Sequence, residues 1–88
     1  MTPPPLPAAV ALLVGEVARQ DARYGPFPPT VAGLRLAVAC LQDETGETQP
    51  AWRAGRQAGW EAPRGKVLQT AAVAIRLVRS LDQEPTRP

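Results

Sequence analysis

Three carboxylates are crowded into five consecutive positions near the middle of the chain. Residues 42–49 read Q-D-E-T-G-E-T-Q and directly follow the apolar run V-A-G-L-R-L-A-V-A-C-L. On a helix, Asp43 lies four residues before Glu47 and Glu44 lies three before it, so the side chains share neighbouring parts of one face. Mg²⁺ prefers oxygen ligands, usually one or two carboxylates together with substrate phosphates. The spacing fits a site for a divalent metal, and a solvated acidic helix end is the competing interpretation.

The expected position of these carboxylates on their helix bears on that choice. Acidic side chains near the carboxyl end of a helix oppose the helix dipole by about a few tenths of a kcal/mol each. Three of them on a helix that is predicted to stop near residue 48 are poorly explained as a solvated end. The argument favours the metal site, but acidic helices are common and the spacing alone does not decide.

Hydrophobic periodicity predicts an all-α chain of three main helices, without strands, because the β-branched residues follow helical rather than alternating spacing. The segment G-P-F-P-P, which begins at Gly25, ends the first helix, and Thr30 is the predicted N-cap of the second. The predicted helices span about residues 6–24, 30–48 and 66–81. Between the last two lies a connection in which A-W-R-A-G-R favours a short helical piece. The predicted organisation is a single domain over 6–82 with disordered tails at 1–5 and 83–88.

The second helix is apolar on two sides. One side carries four aliphatic residues, Val31, Leu34, Val38 and Leu41. The opposite side carries Leu36 and Cys40 and continues into the three carboxylates. A helix with two such faces is expected at the centre of a bundle. Because so small a domain buries only about 60% of its unfolded surface, we expect a homodimer or higher homo-oligomer to complete the core.

The third helix carries a broad apolar arc that is expected to face the core. Its members are Val67, Ala71, Ala74, Ile75, Val78 and Leu81. Arg76 and Arg79 lie outside this arc. The small residues in T-A-A-V-A-I allow another helix to approach closely.

Composition excludes several classes of function. The chain has 88 residues, one cysteine and no histidine, which excludes an internal disulfide, zinc sites built from Cys and His, and triads with a histidine base. The net charge of +2 is far from a DNA-binding profile, so nucleic acid is not an expected partner. The apolar stretch Ala8–Val14 is too short for a signal peptide or a membrane span. A cytoplasmic location without membrane contact is therefore expected.

Charge is unevenly distributed along the chain. Residues 1–50 carry a net charge of −2, and residues 51–88 carry +4. In R-Q-D-A-R-Y-G at the end of the first helix, Arg19 and Arg23 are candidates to pair with phosphate or with the acidic cluster, and a charged helix end is the alternative. The pair Gly65-Lys66 is not a phosphate-binding loop, because the glycine spacing, the following residue and the preceding structure all differ from that motif. Trp52 and Trp60 fit packing in a connection better than base stacking.

Three sequence pieces occur in an order that resembles the MazG-like all-α nucleotide pyrophosphohydrolases, especially their short phage and bacterial members. The pieces are R-Q-D-A-R-Y-G, then L-A-V-A-C-L-Q-D-E-T-G-E, then K-V-L-Q-T-A-A-V-A-I-R-L-V. The resemblance covers roughly residues 16–81. It implies a homo-oligomeric helical protein that hydrolyses a (d)NTP or related nucleotide to the monophosphate and pyrophosphate with Mg²⁺, or with Mn²⁺. Carried over by position, the metal ligands are Asp43, Glu44 and Glu47, with Glu44 and Glu47 as the catalytic carboxylates.

The chain departs from the family's pattern at the start of the third helix. The family supplies further acidic ligands there, often three residues apart, where this chain has Lys66 and Gln69. Lys66 either pairs with the carboxylates in place of a metal or holds a substrate phosphate, with Gln69, Arg19 and Arg23 as further nucleotide-binding candidates. The first alternative implies a non-catalytic relative that binds a nucleotide or a protein, and the second a weakened enzyme. A structural helical interaction module, whose acidic patch meets a basic partner, is a further alternative.

Overall fold

The computed structural model describes residues 5–83, which form three helices and no β-strand. The helices are α1 (Leu6–Tyr24), α2 (Val31–Ala58) and α3 (Glu61–Leu81). The predicted all-α class is confirmed. The predicted tails lie outside the described residues, apart from Pro5 and Gln83. No helix within the described range is long and apolar enough to cross a membrane.

The bounds of α1 and the start of α2 follow the predicted capping residues. Pro7 lies in the first turn of α1, where its missing N–H is not needed. Gly25 ends that helix with a φ of 74°, a left-handed conformation that glycine adopts without steric penalty. The Gly33 N–H donates to Thr30 Oγ1 at 3.0 Å, which satisfies one of the free donors at the start of α2.

The predicted end of α2 near residue 48 is wrong, because the helix continues for ten more residues, to Ala58. Pro50 lies inside the helix, although an interior proline removes one hydrogen bond and costs about 3 kcal/mol. The segment after it is rich in good helix formers, Ala, Arg and Gln, and packs on α3 through the buried Gly55. The three carboxylates therefore lie in mid-helix, and the helix-dipole argument does not apply to them.

The third helix begins five residues earlier than predicted, at Glu61. Glu61 lies in its first turn, where a negative charge is favourable to the helix dipole. Pro63 also lies in that turn, and the N–H that it lacks has no partner inside a helix at this position. The prediction of a loop for these residues is wrong, and only Gly59 and Trp60 separate the two helices.

The central helix of the described chain is α3, and not α2 as predicted. It packs against both α1 and α2, whereas α1 and α2 make no close approach to each other. The core is small and consists of Phe27, Ala37 and Val73, with Ala72 also buried. Partly buried residues border it, namely Cys40, Leu41 and Leu77.

The face that α3 buries is the reverse of the predicted one. Arg76 and Ser80 are buried, at 4% and 2% exposure. Members of the predicted apolar arc lie at the surface, including Val67, Val78 and Leu81 at 55%, 49% and 49% exposure. Arg76 and Ser80 can be buried because both form hydrogen bonds on this face. Arg76 has partners on α1 and on the α1–α2 connection, and Ser80 Oγ donates to the Phe27 carbonyl at 2.7 Å.

Candidate functional site

A cavity of about 820 Å³ opens between α1 and α2 and has α3 as its floor. It exists because these two helices do not touch each other, and we call it the central groove. Side chains from all three helices line it, among them Arg19, Gln20, Cys40, Glu44, Lys66 and Arg76. Its volume lies within the range of about 300–1,000 Å³ that is typical of small-molecule sites.

The acidic cluster of α2, which consists of Asp43, Glu44 and Glu47, meets the N-terminal part of α3 in this groove. The Lys66 ammonium donates to Glu47 Oε2 through a short contact, to Gln69 Oε1 at 3.1 Å and to Glu44 Oε2 at 3.5 Å. An ammonium has three N–H donors, so these three acceptors use all of them. The hydrogen bond that Lys66 donates to Glu47, followed by the charge of Glu44, raises the pKa of Lys66. The ammonium therefore stays charged throughout the neutral range.

These residues, as arranged, do not fit a metal ion. Within residues 5–83 no three Asp, Glu or Cys side chains converge into a group that would hold one. Lys66 lies between Glu44 and Glu47, where it already supplies the positive charge that a metal would bring. Asp43 lines the groove but has an exposed side chain and does not join this contact.

The two arginines predicted to bind phosphate lie in different places. Arg19 lines the groove, and its guanidinium donates to both carboxylate oxygens of Glu16, at 2.8 and 2.6 Å. This pair, led by the Arg19 hydrogen bond, holds the pKa of Glu16 below its usual value. Arg23 does not line the groove; its guanidinium lies 5.4 Å from the centre of the Tyr24 ring.

A buried polar network at the other end of the groove is absent from the sequence prediction. Arg76 donates through Nε to Asp21 Oδ1 at 3.0 Å, through one terminal nitrogen to Gln20 Oε1 at 3.1 Å, and through the other to the Gly25 carbonyl. Its guanidinium also lies 4.4 Å from the centre of the Phe27 ring. A single side chain of α3 thus fixes the end of α1 and the α1–α2 connection.

Gln20 and Asp21 are not among the residues predicted from sequence, because their partners on α3 lie more than 45 positions away in the chain. Gln20 is 3% exposed, and its amide nitrogen donates to Glu16 Oε2 at 2.9 Å and to the Gln69 carbonyl at 3.2 Å. Asp21 also accepts from Arg79 at 2.7 Å, and this bond, ahead of that from Arg76, lowers the pKa of Asp21. The helical spacing of Gln20 from Val17 and Leu13 indicates a common face, and this is the sequence pattern by which its burial is detectable.

Comparison with known protein families, with curated proteins and with solved structures found no match to this chain.

Proposed function

We propose that this chain is a non-catalytic relative of the MazG-like pyrophosphohydrolases that binds a nucleotide in the central groove without a metal. The observation that carries the proposal is the contact of Lys66 with Glu44, Glu47 and Gln69. A catalytic Mg²⁺ neutralises phosphates and activates water, and the ammonium of Lys66 provides charge neutralisation only. Mg²⁺-dependent hydrolysis by Glu44 and Glu47 remains the competing proposal, and it requires Lys66 to leave its three partners.

The composition of the groove supports a nucleotide-sized ligand. The exposed Tyr24 contributes aromatic surface to its lining, and the partly buried Gln69 contributes an amide. Arg19 lies at the exposed edge, with half of its side chain accessible. Only the arginine of the Arg19–Glu16 pair is exposed, since the Glu16 side chain is 12% accessible. Glu16 also accepts from Gln20, so it keeps a hydrogen-bond donor when Arg19 turns to a phosphate. All three N–H donors of Lys66 are used by Glu44, Glu47 and Gln69, so Lys66 holds the acidic cluster in place.

A thermal-shift screen tests the proposal directly. Nucleoside mono-, di- and triphosphates are added to the protein with and without Mg²⁺, and pyrophosphate release is followed in parallel. We expect stabilisation by at least one nucleotide without Mg²⁺ and no pyrophosphate release. Stabilisation only with Mg²⁺, together with pyrophosphate release, would instead establish the hydrolase. The absence of any shift would favour a helical interaction module that meets a basic partner.

A pair of arginine variants locates the bound nucleotide. Arg19→Gln removes a donor at the edge of the groove and is expected to reduce the nucleotide-induced shift. Arg35→Gln removes another exposed arginine that lies outside the central groove, and should leave the shift unchanged. Equal effects of the two variants would indicate general attraction of anions rather than binding in the groove.

We further propose that the chain self-associates through α3. The exposed Val67, Val78 and Leu81 belong to a series at alternating spacings of four and three residues, completed by Ala71 and Ala74. This spacing is the seam of a helix that packs lengthwise against another helix. A homodimer or higher homo-oligomer would cover this seam and complete the small core.

A further inference from the structure

The last turns of α2 and the short connection to α3 carry the only two tryptophans of the chain. Trp52 and Trp60 contact each other, with ring centroids 4.8 Å apart and an interplanar angle of 43°. They are nevertheless 52% and 51% exposed, so mutual packing leaves about half of each indole accessible. Neither residue lines the central groove.

The position of Trp60 is fixed by a glycine. A Cβ at Gly55 would lie 2.8 Å from Trp60 Cε3 and 2.5 Å from Pro63 Cγ. The indole thus packs directly on the backbone of α2, which only glycine allows. The two aromatic rings form a defined surface rather than a pair of free side chains.

Each tryptophan is followed four residues later by an arginine, in W-R-A-G-R and W-E-A-P-R. Residues four apart on a helix are neighbours on its surface, so Arg56 lies beside Trp52 and Arg64 beside Trp60. Arg53 adds a third charge, and Glu61 is the one acid between residues 51 and 65. All three arginines are exposed, and none forms an ion pair with any residue between 5 and 83.

We propose that this α2–α3 tip, residues 51–65, binds single-stranded nucleic acid. Unpaired bases stack on Trp52 and Trp60, and the phosphates between them contact Arg56 and Arg64. Proteins that bind single strands combine aromatic stacking surfaces with positive charge in this way. The net charge of +2 for the whole chain conceals this concentration, which is why nucleic acid was not an expected partner from composition.

A membrane surface fits the tip less well. Apart from the two indoles and the buried Pro63, the apolar residues of the tip are alanines, which offer little apolar depth for insertion into lipid. Interfacial binding depends on buried apolar area in addition to attraction to anionic lipids. The repeated pairing of one indole with one arginine is better matched to a repeating unit of one base and one phosphate.

Intrinsic fluorescence tests the proposal, because both fluorescent indoles lie in the tip. The wild-type protein is titrated with a short oligothymidylate at low and at physiological salt. We expect saturable quenching, with an affinity that falls as salt rises because phosphate contacts release counterions. Trp52→Ala should weaken binding about tenfold, the usual order for loss of one stacked base, and Arg56→Gln with Arg64→Gln should weaken it and flatten the salt dependence.

Three comparisons give the experiment its controls. Arg35→Gln, which alters an exposed arginine outside both the tip and the central groove, should leave the titration unchanged, and far-UV circular dichroism verifies that each variant is folded. Inorganic polyphosphate should bind more weakly and cause little quenching. The proposal is overturned if the oligonucleotide causes no quenching, if polyphosphate matches it, or if vesicles containing phosphatidylserine alter the fluorescence while the oligonucleotide does not.

Discussion

Among single residues, Arg76 has the largest consequence for how α1 is attached to α3. It is almost fully buried, and its partners Gln20, Asp21 and Gly25 lie more than 50 positions earlier in the chain. Breaking a buried charged pair from one side is costly, because the remaining charge stays desolvated. The stability of the groove therefore depends on Asp21, which is the carboxylate that balances Arg76.

We expect Asp21→Asn to lower the free energy of unfolding by about 2 kcal/mol, because it leaves Arg76 without its counter-charge. Asp43→Asn is the matched control, since Asp43 is exposed and forms no ion pair with the part of the chain that the structure describes. It should change the stability by less than about 0.5 kcal/mol. Urea unfolding at neutral pH measures both, and equal effects would show that the Arg76 network does not stabilise the fold.

The same carboxylate predicts a pH dependence. Its folded-state pKa is lowered, first by Arg79 and then by Arg76, so its contribution is complete above the unfolded value of about 4 and is lost as pH falls through the folded value. Wild type should therefore lose more stability than Asp21→Asn as the pH is lowered from about 5 to about 2. Glu16, whose pKa is also lowered, contributes equally to both proteins and cancels. Parallel curves would contradict the assignment.

Among the helices, α2 depends on glycines that differ in their surroundings. A Cβ at Gly33 would lie 2.1 Å from the Pro28 carbonyl oxygen, whereas one at Gly46 would meet nothing within 4 Å. Gly33→Ala should destabilise the protein by about 1–3 kcal/mol, because backbone has to move. Gly46→Ala should stabilise it by up to about 1 kcal/mol through helix propensity alone. Thermal unfolding of both variants checks the close approach, and a stabilising Gly33→Ala would refute it.

Continuity of α2 through Pro50 predicts a gain in stability on removing that proline. Pro50→Ala restores an N–H to the helix interior and should raise the free energy of unfolding by about 1–3 kcal/mol, up to the usual cost of an interior proline. Far-UV circular dichroism and urea unfolding measure the change. An unchanged or lowered stability would indicate that the helix is interrupted near residue 50.

The fold could be predicted from sequence where local residues decide it. Gly25 and Thr30 act on their own turns, and the boundaries at these residues were predicted correctly. The predicted end of α2 near residue 48 was wrong because the helix continues through Pro50 and packs on α3 at Gly55, and such tertiary contacts are not visible in a local pattern. The pairing of Lys66 with the carboxylates was one of two alternatives, because its charge is evident from sequence but the approach of α3 to α2 is not.

At the scale of the whole molecule, periodicity in α3 identified apolar residues but not what covers them. The pattern is the same whether a seam meets its own chain or a second copy, and Val67, Val78 and Leu81 remain at the surface. Arg76 takes the inward face because its hydrogen-bond partners come from distant parts of the chain. The exposed seam is the basis for the proposed self-association.

We expect sedimentation at micromolar concentration to show a dimer or higher oligomer. Val78→Glu places a charge in the proposed seam and should shift the protein towards monomer. Arg35→Glu changes an exposed charge on α2, away from that seam, and should leave the association unchanged. A stable, folded wild-type monomer would contradict self-association through α3.

The central claim is that Lys66 takes the place of a metal in the acidic cluster, and calorimetric titration with Mg²⁺ and Mn²⁺ tests it most directly. Wild type should bind either ion weakly. Lys66→Glu, which removes the ammonium and adds a carboxylate ligand, should bind either ion markedly more tightly. The affinity of Lys66→Gln should fall between those of wild type and Lys66→Glu. Adding Gln69→Asp to Lys66→Glu should tighten binding further. Tight binding by wild type, with no improvement in Lys66→Glu, would contradict the claim.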